Sequence, residues 1–206
     1  MRREGERVVG ARDAIKRLLD IVVSGVALLL SLPFWAAVGA AILLDDGWPI
    51  LYPQRRVGRG GRVFWAYKFR SMVKDAERET GAVLATKNDP RITRIGRLLR
   101  ATALDEIPQL VNIFRGDMSW VGPRPERPEF VREYLRLIPG YGQRHQVRPG
   151  LTGMAQVHGR YHTDPAEKLV YDLYYLRHRS LSLDLRLFVR SWLITLKARW
   201  NAPDAR

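Results

Sequence analysis

Between Ile21 and Leu44 the chain carries no charged residue. A run of this kind longer than about 18 residues reads as a membrane helix rather than a helix buried in a soluble core. It obliges the rest of the chain to fold at or beside a bilayer. A cleaved signal is the competing reading, and Arg2, Arg3, Arg7, Arg12, Lys16 and Arg17 would suit its charged start. The run, however, exceeds the roughly 7–15 apolar residues of a signal, and no small-residue cleavage pattern precedes Asp45-Asp46. Retention is therefore favoured.

Whether the segment spans the bilayer is a separate question. Arg55, Arg56, Arg59 and Arg62 follow it as closely as the basic N-terminus precedes it, so the preference of Lys and Arg for the cytoplasm cannot choose one end. A helix that enters and returns satisfies both ends. Pro33 offers the break, because it lacks a backbone donor and clashes with the carbonyl four residues earlier. Ser31 can lend a hydroxyl to the freed backbone group. A kinked spanning helix is equally open on these residues.

The 206 residues suffice for one catalytic unit with a core. We divide them into a basic N-terminus and membrane helix, 1–46, and a cytoplasmic-face catalytic domain, 47–206. Lys and Arg number 35 against 21 Asp and Glu, a formal charge of +14 that calls for an anionic partner such as nucleic acid, lipid headgroups or a phosphorylated substrate. The absence of cysteine excludes disulfides, a thiol nucleophile and thiolate metal sites. His145, His158, His162 and His178 lack tight metal-ligand spacing.

The expected fold class is α+β and mainly helical. Ile50 to Val57 and Arg62 to Phe69 flank Gly58-Arg59-Gly60-Gly61 and read as a β-hairpin. Ser71 to Glu79 reads as a short helix followed by a loop, and Lys87-Asn88-Asp89-Pro90 as a turn. From Arg91, apolar residues recur at helical spacing beside an edge of Arg91, Arg94, Arg97 and Arg100. Pro108 suits the first turn of a helix running to Arg115 and stopping at Gly116. Asp164, Pro165 and Glu167 start a helix with capping-box spacing that continues to about His178. An amphipathic C-terminal helix from Leu183 to Trp200 aligns Leu185, Val189, Trp192, Leu196 and Trp200, and either a lipid surface or the core could take that side.

The chemistry concentrates around Asp105 and Glu106. Two adjacent carboxylates in a low-dielectric place need counter-charges, and Arg100 lies five residues before Asp105. Gly122-Pro123-Arg124-Pro125 sets one guanidinium in a stiffened loop, suited to bidentate phosphate binding. Arg148-Pro149-Gly150-Leu151-Thr152-Gly153 adds another Arg beside glycines that would let a ligand approach the backbone. Each piece has a plain structural explanation: carboxylates at a helix start, a rigid loop, a solvated basic face. Neither a Walker loop nor a dinucleotide glycine motif is present. The residues alone reach as far as a membrane-bound, phosphate-handling protein.

The ordered set Lys68-Phe69-Arg70-Ser71-Met72, Leu104-Asp105-Glu106-Ile107-Pro108-Gln109-Leu110, Gly116-Asp117-Met118-Ser119, Val121-Gly122-Pro123-Arg124-Pro125 and Arg148-Pro149-Gly150-Leu151-Thr152-Gly153 resembles the bacterial sugar transferase family, the small monotopic phosphoglycosyl transferases. The resemblance implies transfer of a sugar 1-phosphate from a UDP-sugar to undecaprenyl phosphate, with UMP released and a phosphosugar-aspartyl intermediate on Asp105. It implies that such a product initiates a lipid-linked glycan. It further implies Mg²⁺ at Asp105, an orienting or proton-handling Glu106, and phosphate binding by Lys68, Arg100, Arg124 and Arg148. It favours a re-entrant helix broken at Ser31 and Pro33, with the chain on the cytoplasmic face of the bacterial inner membrane. In the family pattern serine often directly precedes the proline, whereas Leu32 intervenes here.

Two other classes of function are compatible with parts of the sequence. A membrane-tethered nucleic-acid-binding protein would use the charge and the arginine edge, but no nucleic-acid-binding motif accompanies them, and no nucleic acid is expected as a partner. A non-catalytic scaffold would tolerate loss of Asp105. The oligomeric state, a homodimer included, is left open by the sequence, as are the sugar and the glycan.

Overall fold

The computed structural model describes residues 2–78, 81, 83, 85, 86, 89–159 and 163–196, with side chains from Gly10 to Thr195. It is mostly helical, with a long apolar N-terminal helix and little sheet. Helix α1 covers Arg2–Asp46, and Gly10–Asp46 is long and apolar enough to cross a membrane. Pro33 lies inside α1, and helical backbone continues on both sides of it. Ser31 and Pro33, where a break is anticipated, lie within a single helical element. A proline removes one hydrogen bond, and packing on either side holds the flanking turns. The Ser31 hydroxyl donates to the Leu28 carbonyl at 3.0 Å and accepts from Trp35 Nε1 at 3.1 Å. It does not reach Leu29, whose carbonyl lies four residues before Pro33.

From Asp20 to Ile42 one side of α1 rests on protein. Asp20 and Ser24 are buried, Ala27 and Leu28 pack against Leu110, Ile113 and Met118, and beyond Pro33 Phe34, Trp35, Val38 and Ile42 pack around Phe69 and Leu99. These positions follow the three-and-four spacing of one helix face. The opposite side exposes Leu18, Leu19, Val22, Val26, Leu29, Leu30 and Leu44. Polar contacts hold both ends. Arg17 donates to the Ile113 and Phe114 carbonyls at 2.6 and 2.7 Å, and Asp20 accepts from Ser119 Oγ and Trp120 N. At the far end Asp45 accepts from Ile95 N at 2.9 Å, and Arg70 donates to the Asp46 and Gly47 carbonyls.

The expected hairpin is present as antiparallel β1 (Leu51–Val57) and β2 (Val63–Phe69). Ala66 and Phe69, on opposite faces of β2, are both buried, while Val63 and Trp65 are exposed. Phe64, Ala66 and Lys68 alternate on one face, so Lys68 points the same way as the buried Ala66. Met72 bridges Ile92, and Val73 N donates to Arg91 O at 2.8 Å. That pairing claims the backbone of the segment expected to form a helix from Ser71, which instead makes turns through Arg78, with Asp75 at φ 56; Glu79 lies outside the described residues, as do Lys87 and Asn88 of the expected turn.

Helix α2 covers Arg94–Ala101, three residues later than the arginine periodicity implied, because the Thr93 hydroxyl accepts from Gly96 N and caps it. Arg91 consequently lies off the helix and pairs with Asp89 at 2.6 Å. Gly96 is required there: a Cβ would stand 2.0 Å from the Ser71 carbonyl. Helix α3 (Gln109–Arg115) starts after Pro108 and ends at Gly116, whose φ of 97° needs glycine. Two short strands, β3 (Ser119–Val121) and β4 (Gly150–Thr152), pair in parallel, a feature absent from the sequence reading. Helices α4 (Pro128–Leu137), α5 (Met154–His158), α6 (Pro165–His178) and α7 (Leu181–Leu196) complete the fold. Asp164 caps α6 as expected, accepting from Ala166 N. In α7, Leu187 is buried while Leu185, Val189 and Trp192 are exposed, so the aligned apolar side faces away from the core. The projected extension of that helix to Trp200 lies outside the described residues.

Candidate active site

After α2 the chain reverses through Ala103, which adopts the left-handed conformation at φ 55, and enters a 3₁₀ turn over Leu104–Glu106. A non-glycine residue there costs on the order of 1–3 kcal/mol and persists only where its surroundings impose it. The reversal sets Asp105 and Glu106 between α2 and α3, on the wall of an open cleft of about 2060 Å³. Lys68, Arg100 and Arg124 line the same cleft. Away from these charges its lining becomes apolar, with Ala27 and Leu30 of α1 and Phe188 and Trp192 of α7.

The two carboxylates live in different surroundings. Glu106 accepts from Lys68 Nζ at 2.7 Å and from Arg124 at both oxygens, 3.1 Å at Oε2 and 2.5 Å at Oε1. Burial alone would raise its pKa, but the Arg124 and Lys68 charges and their hydrogen bonds hold it well below the usual carboxylate range. Glu106 is thus an ionised anchor with both oxygens engaged, which favours the orienting role over the proton-handling one. Asp105, only 7% exposed, accepts no hydrogen bond among the described residues. Burial pushes its carboxyl up to about 6, with the Glu106 charge adding to the rise, while Lys68, Arg100 and Arg124 oppose it. Its carboxylate therefore lines the cleft beside a basic floor with no protein donor on it among the described residues. Burial also lowers the Lys68 ammonium, though Glu106 keeps it paired.

Of the residues anticipated from sequence, Asp105, Glu106, Lys68, Arg100 and Arg124 converge on the cleft. Arg148 does not. Its Nε donates to the Gly116 carbonyl at 3.0 Å, and it lines a separate small hollow with Lys16 and Arg59. The glycines of its loop have a different task from the one expected. A Cβ on Gly150 would stand 2.1 Å from Gly122 N, and one on Gly122 would stand 2.4 Å from Arg148 O. They allow backbone to meet backbone where β3 pairs with β4, rather than a ligand to approach. Two arginines were missed. Arg56 donates to Pro125 O at 2.9 Å, and the buried Arg144 donates to Arg124 O at 2.9 Å. Arg56 was detectable, since the period of β1 places it opposite Phe64; Arg144 lies in a 3₁₀ turn over Tyr141–Gln146, with no periodicity to mark it.

This geometry can be set against known proteins. A family model for bacterial sugar transferases matches residues 11–198. The chain belongs to that family. Among relatives of this sugar transferase is the UDP-N-acetylgalactosamine-undecaprenyl-phosphate N-acetylgalactosaminephosphotransferase of Aeromonas hydrophila, 42% identical over 86% of this chain and 42% of that protein. The UDP-glucose:undecaprenyl-phosphate glucose-1-phosphate transferase of Escherichia coli is 41% identical over 86% of this chain and 39% of its own length. An exopolysaccharide production protein of Rhizobium leguminosarum bv. phaseoli is 44% identical over 84% of this chain and 90% of its own. The chain thus spans about two-fifths of the first two relatives and nearly all of the third.

Proposed function

We propose that this sugar transferase moves a sugar 1-phosphate from a UDP-sugar to undecaprenyl phosphate. The observation that carries the reading is the pairing of a saturated Glu106 with an Asp105 that takes no protein hydrogen bond among the described residues, on one basic wall. The names of the relatives agree with it. An Asp105 oxygen attacks the β-phosphorus of the donor, the bond from that phosphorus to the bridging oxygen breaks, and UMP departs. A phosphate oxygen of the lipid then attacks the same phosphorus, forms the polyprenyl diphosphate sugar and releases the carboxylate. Dividing the displacement in two predicts ping-pong kinetics. Arg100 and the free N–H groups of Arg124 hold donor phosphates, while Lys68 keeps Glu106 and Arg124 in register. The product would initiate assembly of a lipid-linked glycan.

The donor set fits Mg²⁺. This ion commonly takes one or two carboxylates and fills its remaining positions with water and substrate phosphates, and Asp105 lies beside the paired Glu106 with no hydrogen-bond donor on its own carboxylate among the described residues. Bound there, Mg²⁺ would supply charge neutralisation to the diphosphate. The test incubates purified protein with Mg²⁺, undecaprenyl phosphate and either UDP-glucose or UDP-N-acetylgalactosamine. UMP release, abolished by a chelator, is expected; release of UDP would overturn the mechanism.

The same reading places both ends of α1 on the cytoplasmic face of the bacterial inner membrane. Support comes from the one face of α1 that rests on the domain both before Pro33, at Ala27 and Leu28, and after it, at Phe34, Trp35, Val38 and Ile42. The chain has no native cysteine, so single cysteines report topology cleanly. Gly10→Cys and Arg62→Cys should both resist an impermeant maleimide in intact cells and both react after lysis. Labelling of one alone in intact cells would show a spanning helix.

A further inference from the structure

We propose that Arg144 is a positioning residue for Arg124, and that its ion pair with Asp172 ties α6 to the geometry of the cleft. The catalytic part of this inference rests on the function proposed above. Four consecutive carbonyls in the Arg124 loop are each bound by a different group. Pro123 O accepts from Gly150 N at 3.0 Å, Arg124 O from Arg144 Nη2 at 2.9 Å, Pro125 O from Arg56 Nη1 at 2.9 Å, and Glu126 O from Val57 N at 2.9 Å. The outer two bonds belong to backbone pairing. The inner two come from arginine side chains, and only Arg144 grips the residue whose guanidinium reaches Glu106.

Arg144 is itself held at every nitrogen. Its Nε donates to Asp172 Oδ2 at 2.8 Å, Nη2 lies 2.7 Å from the same oxygen, and Nη1 donates to the Tyr141 hydroxyl at 2.7 Å. The pair is almost wholly enclosed, Arg144 at 4% exposure and Asp172 at 1%. A buried ion pair is a poor way to gain stability, since apolar residues of the same volume usually serve as well. What the pair supplies is a fixed direction: a planar fork whose third arm ends on the Arg124 carbonyl. Two prolines and this arm leave the Arg124 side chain a single stem from which to meet a carboxylate on one side and a phosphate on the other.

Removing either buried charge risks the fold, so the variant of choice is Arg144→Lys, which keeps the charge and loses the fork. A double-mutant cycle with Arg124→Ala reads the coupling through UMP release. Arg144→Lys alone should lower kcat at least about tenfold, as expected of a misplacement of less than an ångström or so. In the Arg124→Ala background the same change should cost less than about twofold, because the group it positions is gone. An equal factor in both backgrounds would assign Arg144 a merely structural role. A second measurement needs no turnover. Hydrogen exchange over residues 121–127 should quicken at least about tenfold in Arg144→Lys while α3 is unaffected, and unchanged exchange in that loop would overturn the proposal. Should the unmodified protein release no UMP from either donor, the proposed function fails, and the exchange result still decides whether Arg144 fixes the loop.

Discussion

Asp105→Asn is expected to reduce UMP release by at least about a thousandfold and, at neutral pH, to make the protein more stable. Both effects arise from one placement. The carboxylate is enclosed, accepts no hydrogen bond, and is pushed up to about 6 by burial. A carboxyl whose folded-state value lies above its unfolded one favours folding while protonated, and that contribution is lost as pH rises through the folded value. Above about pH 6 the ionised aspartate therefore opposes folding, by on the order of 1–3 kcal/mol. The isosteric amide relieves this. Melting temperatures of the two proteins should nearly coincide below about pH 4 and separate between about pH 4 and 6, the variant melting higher above that. A variant less stable than its parent at pH 7.5 would contradict the account. The rate of adduct formation in the parent should fall on the acid side, as the attacking carboxylate is protonated.

Arg124→Lys should cost about a hundredfold in kcat/KM although it preserves charge. Arg124 reaches both oxygens of Glu106, and a single ammonium cannot span them while also facing a donor phosphate. Lys68 would remain on one oxygen of Glu106 and leave the other without its partner. Steady-state UMP release measures the loss. A variant within threefold of its parent would mean that charge alone matters at this position, and that the planar fork has no part in holding the donor.

The sequence was most legible where a local rule acts alone. The charge-free run, the hairpin with its glycine turn, Pro108 and Gly116 bounding α3, and Asp164 starting α6 each follow from propensity or capping, and the structure contains all of them. It was misleading where a distant partner competes. Ser71 to Arg78 has a helical composition, yet its backbone pairs with Arg91 to Thr93. Arginine spacing put Arg91 on α2, whereas Asp89 draws it away and Thr93 sets the true start. Within the site, the carboxylates and Arg124 could be picked out because adjacent charges and flanking prolines are unusual at short range. Arg144 could not, since its meaning depends on Asp172, 28 residues further on. Arg148 was grouped with the cleft residues for the opposite reason. Its neighbouring glycines resemble those of a phosphate loop, but they serve the approach of two strands.

An amide in the middle of α3 holds the backbone of β2. Asn112, wholly enclosed, accepts from Tyr67 N at 3.1 Å and donates to Trp65 O at 2.7 Å, and so stands where a third strand would pair with β2. A one-residue slip of a strand sends every side chain to the opposite face. Here such a slip would swing Lys68 out of the cleft and Tyr67 into it, and the amide acts as the pin that forbids this. Misregistered molecules would be catalytically dead rather than merely less stable, so assembly of the hairpin and competence for turnover become a single event.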